Sequence, residues 1–183
     1  ETAKLLLHLQ PTTGDRLGLF ALSGGHSTEM SNIFSKSGFK IPPLSQESYK
    51  QILAHWDMVG STYRNPLEGR TLGNLDHLNN ALDVLNKAEE IDIIVHEINV
   101  GAPNGEFIPV FRGHSVEPLV SFRTRSSKPY VVAISTTSPQ GDTNSVDQVF
   151  STLTDAGIPT CYGLKATATA LRKIVDYHRQ SIR

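Results

Sequence analysis

Between Leu19 and Ser31 the sequence reads LFALSGGHSTEMS, an apolar run that stops at Ser23, Gly24 and Gly25 and restarts as polar residues without a proline. Two adjacent glycines at a strand-to-helix junction permit positive φ and close approach to the backbone, and the residues after them expose free N–H groups at a helix N-terminus. Such a junction suits a phosphate or carboxylate, aided by the positive end of the helix. Ser23, Gly24, Gly25, His26, Ser27 and Thr28 are therefore candidate phosphate-binding residues. The same residues also fit a tight turn in which Ser27 or Thr28 caps the helix, and both readings stay open here.

A second block, GSTYRNPLEG from Gly60 to Gly69, concentrates turn chemistry. Asn65 before Pro66 enforces an extended or turning backbone, and Arg64 places a fixed cation beside it. The block either orients a polar side chain toward the first loop or simply joins two helices.

Other chemistry is absent from the pattern, and no catalytic or metal-ligating residue is assigned. His26 beside Ser27 does not make a nucleophile and base, because ALSGGHS lacks the G-x-S-x-G frame of a hydrolase elbow. His8, His55, His77, His96, His114 and His178 show no metal-ligand spacing and read as surface or strand-end residues; Cys161, the sole cysteine, supplies no thiolate pair. GDTNSVD, Gly141 to Asp147, lacks the glycine and terminal Glu of a calcium loop and reads as the cap of the next helix.

The elements that must position these residues follow from periodicity. RLGLFAL, IDIIVHEINV, PYVVAIS and IPTCYG are strand-like runs, and a weak fifth strand is expected at Phe39 to Ile41 before Pro42. Between them lie helical patterns: STEMSNIFSKSG ending at Gly38, SQESYKQILAHW capped by Ser45, NLDHLNNALDVLNKAEE, TNSVDQVFSTLTDAG and KATATALRKIVDYHRQ. Apolar strands alternating with helices predict α/β architecture, a three-layer, flavodoxin-like, doubly wound and mainly parallel sheet. In such a fold the loops at Ser23 to His26, Asn99 to Gly105 and Ser135 to Gly141 gather at the carboxyl edge, where ligands bind.

With 183 residues, 38% hydrophobic and 19% charged, the chain is of a size to bury its own core, and its net charge of −1 gives no electrostatic reason to bind nucleic acid or an anionic membrane. A lone cysteine and the lack of a charged leader followed by an apolar stretch make the cytoplasm the expected compartment. The amphipathic opening ETAKLLLHLQ, with no initiator Met, suggests a piece of a longer polypeptide: residues 1–14 as leading helix and linker, 15–183 as the domain.

Three blocks in order, LGLFALSGGHSTEMSNIFSKSGFKIPPLSQES, VGSTYRNPLEG and AGIPTCYGLKATATALRKIVDYHR, resemble the last flavodoxin-like CoA-ligase domain of the NDP-forming acyl-CoA synthetases, relatives of succinyl-CoA synthetase. The resemblance runs from about Arg16 to His178. Where that family carries Asp, this chain has Asn32 and Glu68. It implies an enzyme making acyl-CoA, nucleoside diphosphate and phosphate from a carboxylic acid, CoA and a nucleoside triphosphate, through an acyl phosphate and a phosphohistidine. CoA, nucleotide and Mg are implied for the complete enzyme, together with sister CoA-binding, ligase and ATP-grasp domains or subunits, and an oligomer is compatible with it. It further implies that amides around Gly25 to Ser27 receive the phosphoryl oxygens of a sister domain's phosphohistidine, and that Asn65 fixes the loop or contacts the phosphate. Two alternatives stand beside it: a catalytically degenerate docking or regulatory module of that family, and a flavodoxin-like domain holding another phosphate ligand such as a flavin.

Overall fold

The apolar runs become strands because each is covered on both faces. The computed structural model describes residues 2–56, 62–69, 75–100, 116–136 and 143–181. In it β1 (Leu17–Ala21) and β3 (Ile93–Asn99) are buried throughout, and β4 (Tyr130–Ser135) is buried up to its last residue. That is the signature of parallel strands between two helical layers. With β2 (Leu67–Glu68) and β5 (Thr160–Tyr162) they form a five-stranded, all-parallel sheet of order β2-β1-β3-β4-β5. The expected three-layer, flavodoxin-like fold is the observed one.

Side-chain alternation divides the core in two. Leu17, Leu19, Ala21, Ile93 and Val95 face a layer made by α1 (Thr2–His8), α2 (Gly24–Lys36) and α7 (Leu164–Ser181), where Leu5, Met30, Phe34, Leu171 and Ile174 meet them. Phe20, Ile94 and Ile98 face the opposite layer of α3 (Gln46–Leu53), α4 (Leu75–Lys87), α5 (Glu117–Arg125) and α6 (Thr143–Asp155), with Ile52, Leu82, Phe122 and Leu153. Ser45 caps α3 as expected, accepting from Ser48 N–H at 3.1 Å. Gly38 ends α2 with a φ of 86°, the left-handed conformation that glycine adopts without a Cβ penalty. At the sheet's amino edge Arg16 and Asp92 tie β1 to β3 through a 2.6 Å ion pair and an Arg16 N–H bond. Burial opposes the Asp92 charge, but these Arg16 bonds prevail and hold the carboxyl below its usual range.

Two expectations are corrected. Phe39 to Ile41 forms no strand: only Lys40 bridges Arg16, because Pro42 and Pro43 follow without N–H donors and Phe39 turns into the core beside Phe34. The edge strand is β2 instead, inside the Asn-Pro block. His96 is not at a surface or strand end; it is 1% exposed at the middle of β3, where parity points it into the aromatic layer beside Phe20 and Tyr130. Its Nδ1 pairs with the Tyr130 hydroxyl at 2.8 Å. His114, Gly101 to Gly105 and Thr137 to Asp142 lie outside the described residues. No helix among the described residues is long and apolar enough to cross a membrane.

Candidate functional site

The helix after β1 starts earlier than its sequence suggests. Ser23, extended at φ −151° and ψ 168°, is the N-cap, and Gly24 and Gly25 are the first helical residues rather than a positive-φ turn. Neither Ser27 nor Thr28 is the cap. The Ser23 hydroxyl accepts from His26 N–H at 3.5 Å, and the Ser23 carbonyl takes Ser27 N–H at 2.8 Å. Ser27 turns inward and is buried; Thr28 donates its hydroxyl to the Gly24 carbonyl at 3.1 Å. With the His26 and Ser27 amides engaged, the first-turn amides that remain are those of Gly24 and Gly25, both exposed. Starting at Gly24 also moves Glu29 beyond the first turn.

Packing does not demand glycine at either position. A Cβ at Gly25 meets nothing nearer than the Ser23 hydroxyl at 4.0 Å, and one at Gly24 meets Glu68 Oε2 at an ordinary 3.5 Å. What the two glycines provide is a bare helix end, since a helical Cβ tilts toward the N-terminus and would overhang these amides.

Asn65 sits elsewhere than the phosphate rim. Its Oδ1 accepts from Leu19 N–H at 2.9 Å, and its Nδ2 donates to the Leu17 and Pro42 carbonyls at 2.8 and 2.9 Å. The amide thus imitates a peptide group along β1, splicing the Lys40 bridge to β2. Of its two implied roles, fixing the loop is the one this geometry serves.

A residue that sequence reasoning missed completes the site. Glu97, near the carboxyl end of β3, has a side chain with 0% exposure; its Oε1 stands 2.5 Å from His26 Nδ1 and its Oε2 accepts from Leu22 N–H at 3.2 Å. β1 leads outward to β2 on one side and the chain returns to β3 on the other, so the pair bridges the switch point where doubly wound sheets bind ligands. His26, Glu97, Ser135, Tyr162 and Lys165 line one cavity of about 470 Å³. The N-termini of α2 and α7 both border it. Asn99 Nδ2 donates to Ser135 Oγ at 3.2 Å, joining the ends of β3 and β4 below the rim. The described parts of the three expected loops therefore share one edge.

Electrostatics at the head of α2 are mixed. Buried Glu68, which accepts from Thr62 N–H at 3.3 Å, and buried Glu97 both place carboxylates beside the helix's positive end. Among the described residues lining the cavity, the cations are Lys165 and, when protonated, His26, which is paired with Glu97. Among the described residues no group of three His, Cys, Asp or Glu side chains is arranged to hold a metal ion.

No family model matches the chain. Solved structures do. The chain is similar to PH0766 from Pyrococcus horikoshii OT3, with a TM-score of 0.73, 15% identity and 96% of this chain covered. It is similar also to the dinucleotide-forming acetyl-coenzyme A synthetase 1 of Ca. Korarchaeum cryptofilum, in complex with phosphate and ADP (TM-score 0.69, 14% identity, 98% covered) and in its apo form (0.67, 16%, 98%). In each case the match spans 38% of the larger chain. The chain thus shares the fold of one part of these proteins, and an acyl-CoA synthetase of the kind named from the three sequence blocks stands among them.

Proposed function

We propose that this chain is a CoA-ligase domain of an NDP-forming acid–CoA synthetase, presenting the N-terminus of α2 to the phosphoryl group of a phosphohistidine carried by a sister domain. The observation that carries this reading is the bare start of α2: two exposed glycine amides at the switch point, beside a cavity, with no packing reason for glycine. Fixed N–H dipoles stabilise phosphoryl oxygens without reorganising during transfer. The fold neighbours support it, since one of them was solved with phosphate and ADP and the match spans 38% of its chain. In this reading CoA, the nucleotide and Mg are held by CoA-binding, ligase and ATP-grasp partners, in the cytoplasm, and the acid is selected there as well.

Phosphate titrated into the chain is expected to shift the backbone amides of Gly24 and Gly25, weakly, because one helix alone forms the seat. Gly25→Val should weaken that binding by roughly tenfold through its overhanging side chain, yet change unfolding free energy by less than about 1 kcal/mol, since nothing crowds the new Cβ. Shifts confined to residues far from α2 would refute the seat and favour a docking module without phosphoryl contact. The chain by itself should make no acyl-CoA from acid, CoA and ATP in a thiol-consumption assay; sustained turnover free of other ligases would overturn the domain reading.

A further inference from the structure

The bare amides leave a charge problem at this site, because Glu68 and Glu97 already stand at the positive end of α2. An incoming oxyanion meets two buried carboxylates, with Glu29 on the cavity wall as a third acid. Lys165 lines the same cavity and is exposed, and the Tyr162 hydroxyl on its wall donates to Asp147 at 2.9 Å. Among the described residues lining the cavity, the side chain that can add a positive charge beside these acids is His26. Its Nδ1–H is committed to Glu97, so Glu97 sets the tautomer and ring orientation, and Nε2 is left without a protein partner among the described residues. With a neutral ring the pair carries one negative charge; with an imidazolium it carries none and gains an Nε2–H donor.

We infer that the cavity binds an oxyanion of the phosphate class together with a proton, with His26 Nε2–H as the charged donor and Glu97 as the positioning residue that holds the ring for it. This rests on the phosphoryl-seat reading and adds the side chain through which the site senses the anion. Linkage then requires that anion binding take up protons, in proportion to the share of neutral His26 beforehand.

Sulfate is the test ligand because it does not itself titrate near neutral pH. Calorimetry of the full chain in buffers of different ionisation enthalpy should register proton uptake on sulfate binding, and none in His26→Gln, which should also bind roughly tenfold more weakly. Glu97→Gln separates positioning from mere charge by sign. Removing a nearby negative charge should strengthen sulfate binding if Glu97 only repels; here it should weaken binding, and strengthen it only when His26→Gln is already present. Strengthening in both backgrounds, or binding without proton uptake at any pH in a series from about 6 to about 9 in the unmodified chain, overturns the inference. The uptake measurement needs no variant, so it decides the matter even if Glu97→Gln fails to fold. Amide shifts at Gly24 and Gly25 without proton uptake would leave the seat standing and remove His26 from it; proton uptake without those shifts would do the reverse. Inorganic phosphate and phosphoimidazole, compared by affinity alone because both titrate near neutral pH, identify the source: tighter binding of the first assigns the seat to free phosphate, of the second to a phosphoryl group carried on nitrogen.

Discussion

Replacing Asn65 with alanine is expected to lower the unfolding free energy by about 3 kcal/mol, close to what three lost hydrogen bonds of about 1 kcal/mol each would give. The bonds are those to Leu19 N–H and to the Leu17 and Pro42 carbonyls, and no neighbouring strand residue stands ready to replace them, because Pro42 and Pro43 carry no N–H. Asn65→Asp is the sharper probe. It keeps an acceptor for Leu19 but sets a carboxylate oxygen against two carbonyls, so it should destabilise at least as much as alanine despite its shape. Urea unfolding with an unchanged denaturant slope is the measurement. A loss below about 1 kcal/mol for both variants would mean that water fills the splice, and that the side chain is not what joins β2 to the sheet.

Acid should weaken the fold through His96. Burial pushes its pKa down to about 3, while in the unfolded chain the imidazole titrates near its ordinary value of 6.5. Between these values the unfolded state takes up a proton that the native state refuses, so the stability this residue contributes is complete above pH 6.5 and declines as pH falls toward 3. One proton corresponds to a slope of about 1.4 kcal/mol per pH unit at its steepest. Burial also raises the Tyr130 pKa, keeping its hydroxyl protonated as a partner. His96→Gln should be less stable at neutral pH and flatter between pH 6 and 4. Carboxylates such as Asp92 contribute equally to both proteins, so the difference isolates the histidine. Parallel curves would show that His96 protonates without unfolding the layer around it.

The long strands and most helices were legible because burial on both faces forces continuous apolar runs, as in the stretch from Tyr130 to Ile134. β2 was not, because a two-residue strand has no periodicity and its place is set by the Asn65 side chain pairing with residues 46 and 48 positions away. α5 escaped notice for a different reason: it opens on Glu117 and Pro118 and mixes Arg123 and Arg125 with few apolar residues, so it reads as a connector. At the site, the SGGHST block was visible and its helix boundary was not, since glycine's usual meaning at a junction is a turn. Glu97 was hidden by its surroundings. A histidine and a glutamate side by side in an otherwise apolar run were the available signal, since a charged side chain with no exposure must have a partner.

Those two neighbours also make β3 intolerant of changes in length. His96 and Glu97 are adjacent in the chain but face opposite layers, one supplying a neutral ring to the aromatic core and the other a carboxylate to the cavity. Deleting one residue within Ile93 to Val95 would exchange their faces, sinking an acid among Phe20 and Trp56 and turning the imidazole toward His26. No gradual adjustment lies between the two arrangements. Insertions and deletions in this region can therefore survive only in the flanking loops, and the strand itself acts as a ruler that must be copied without error.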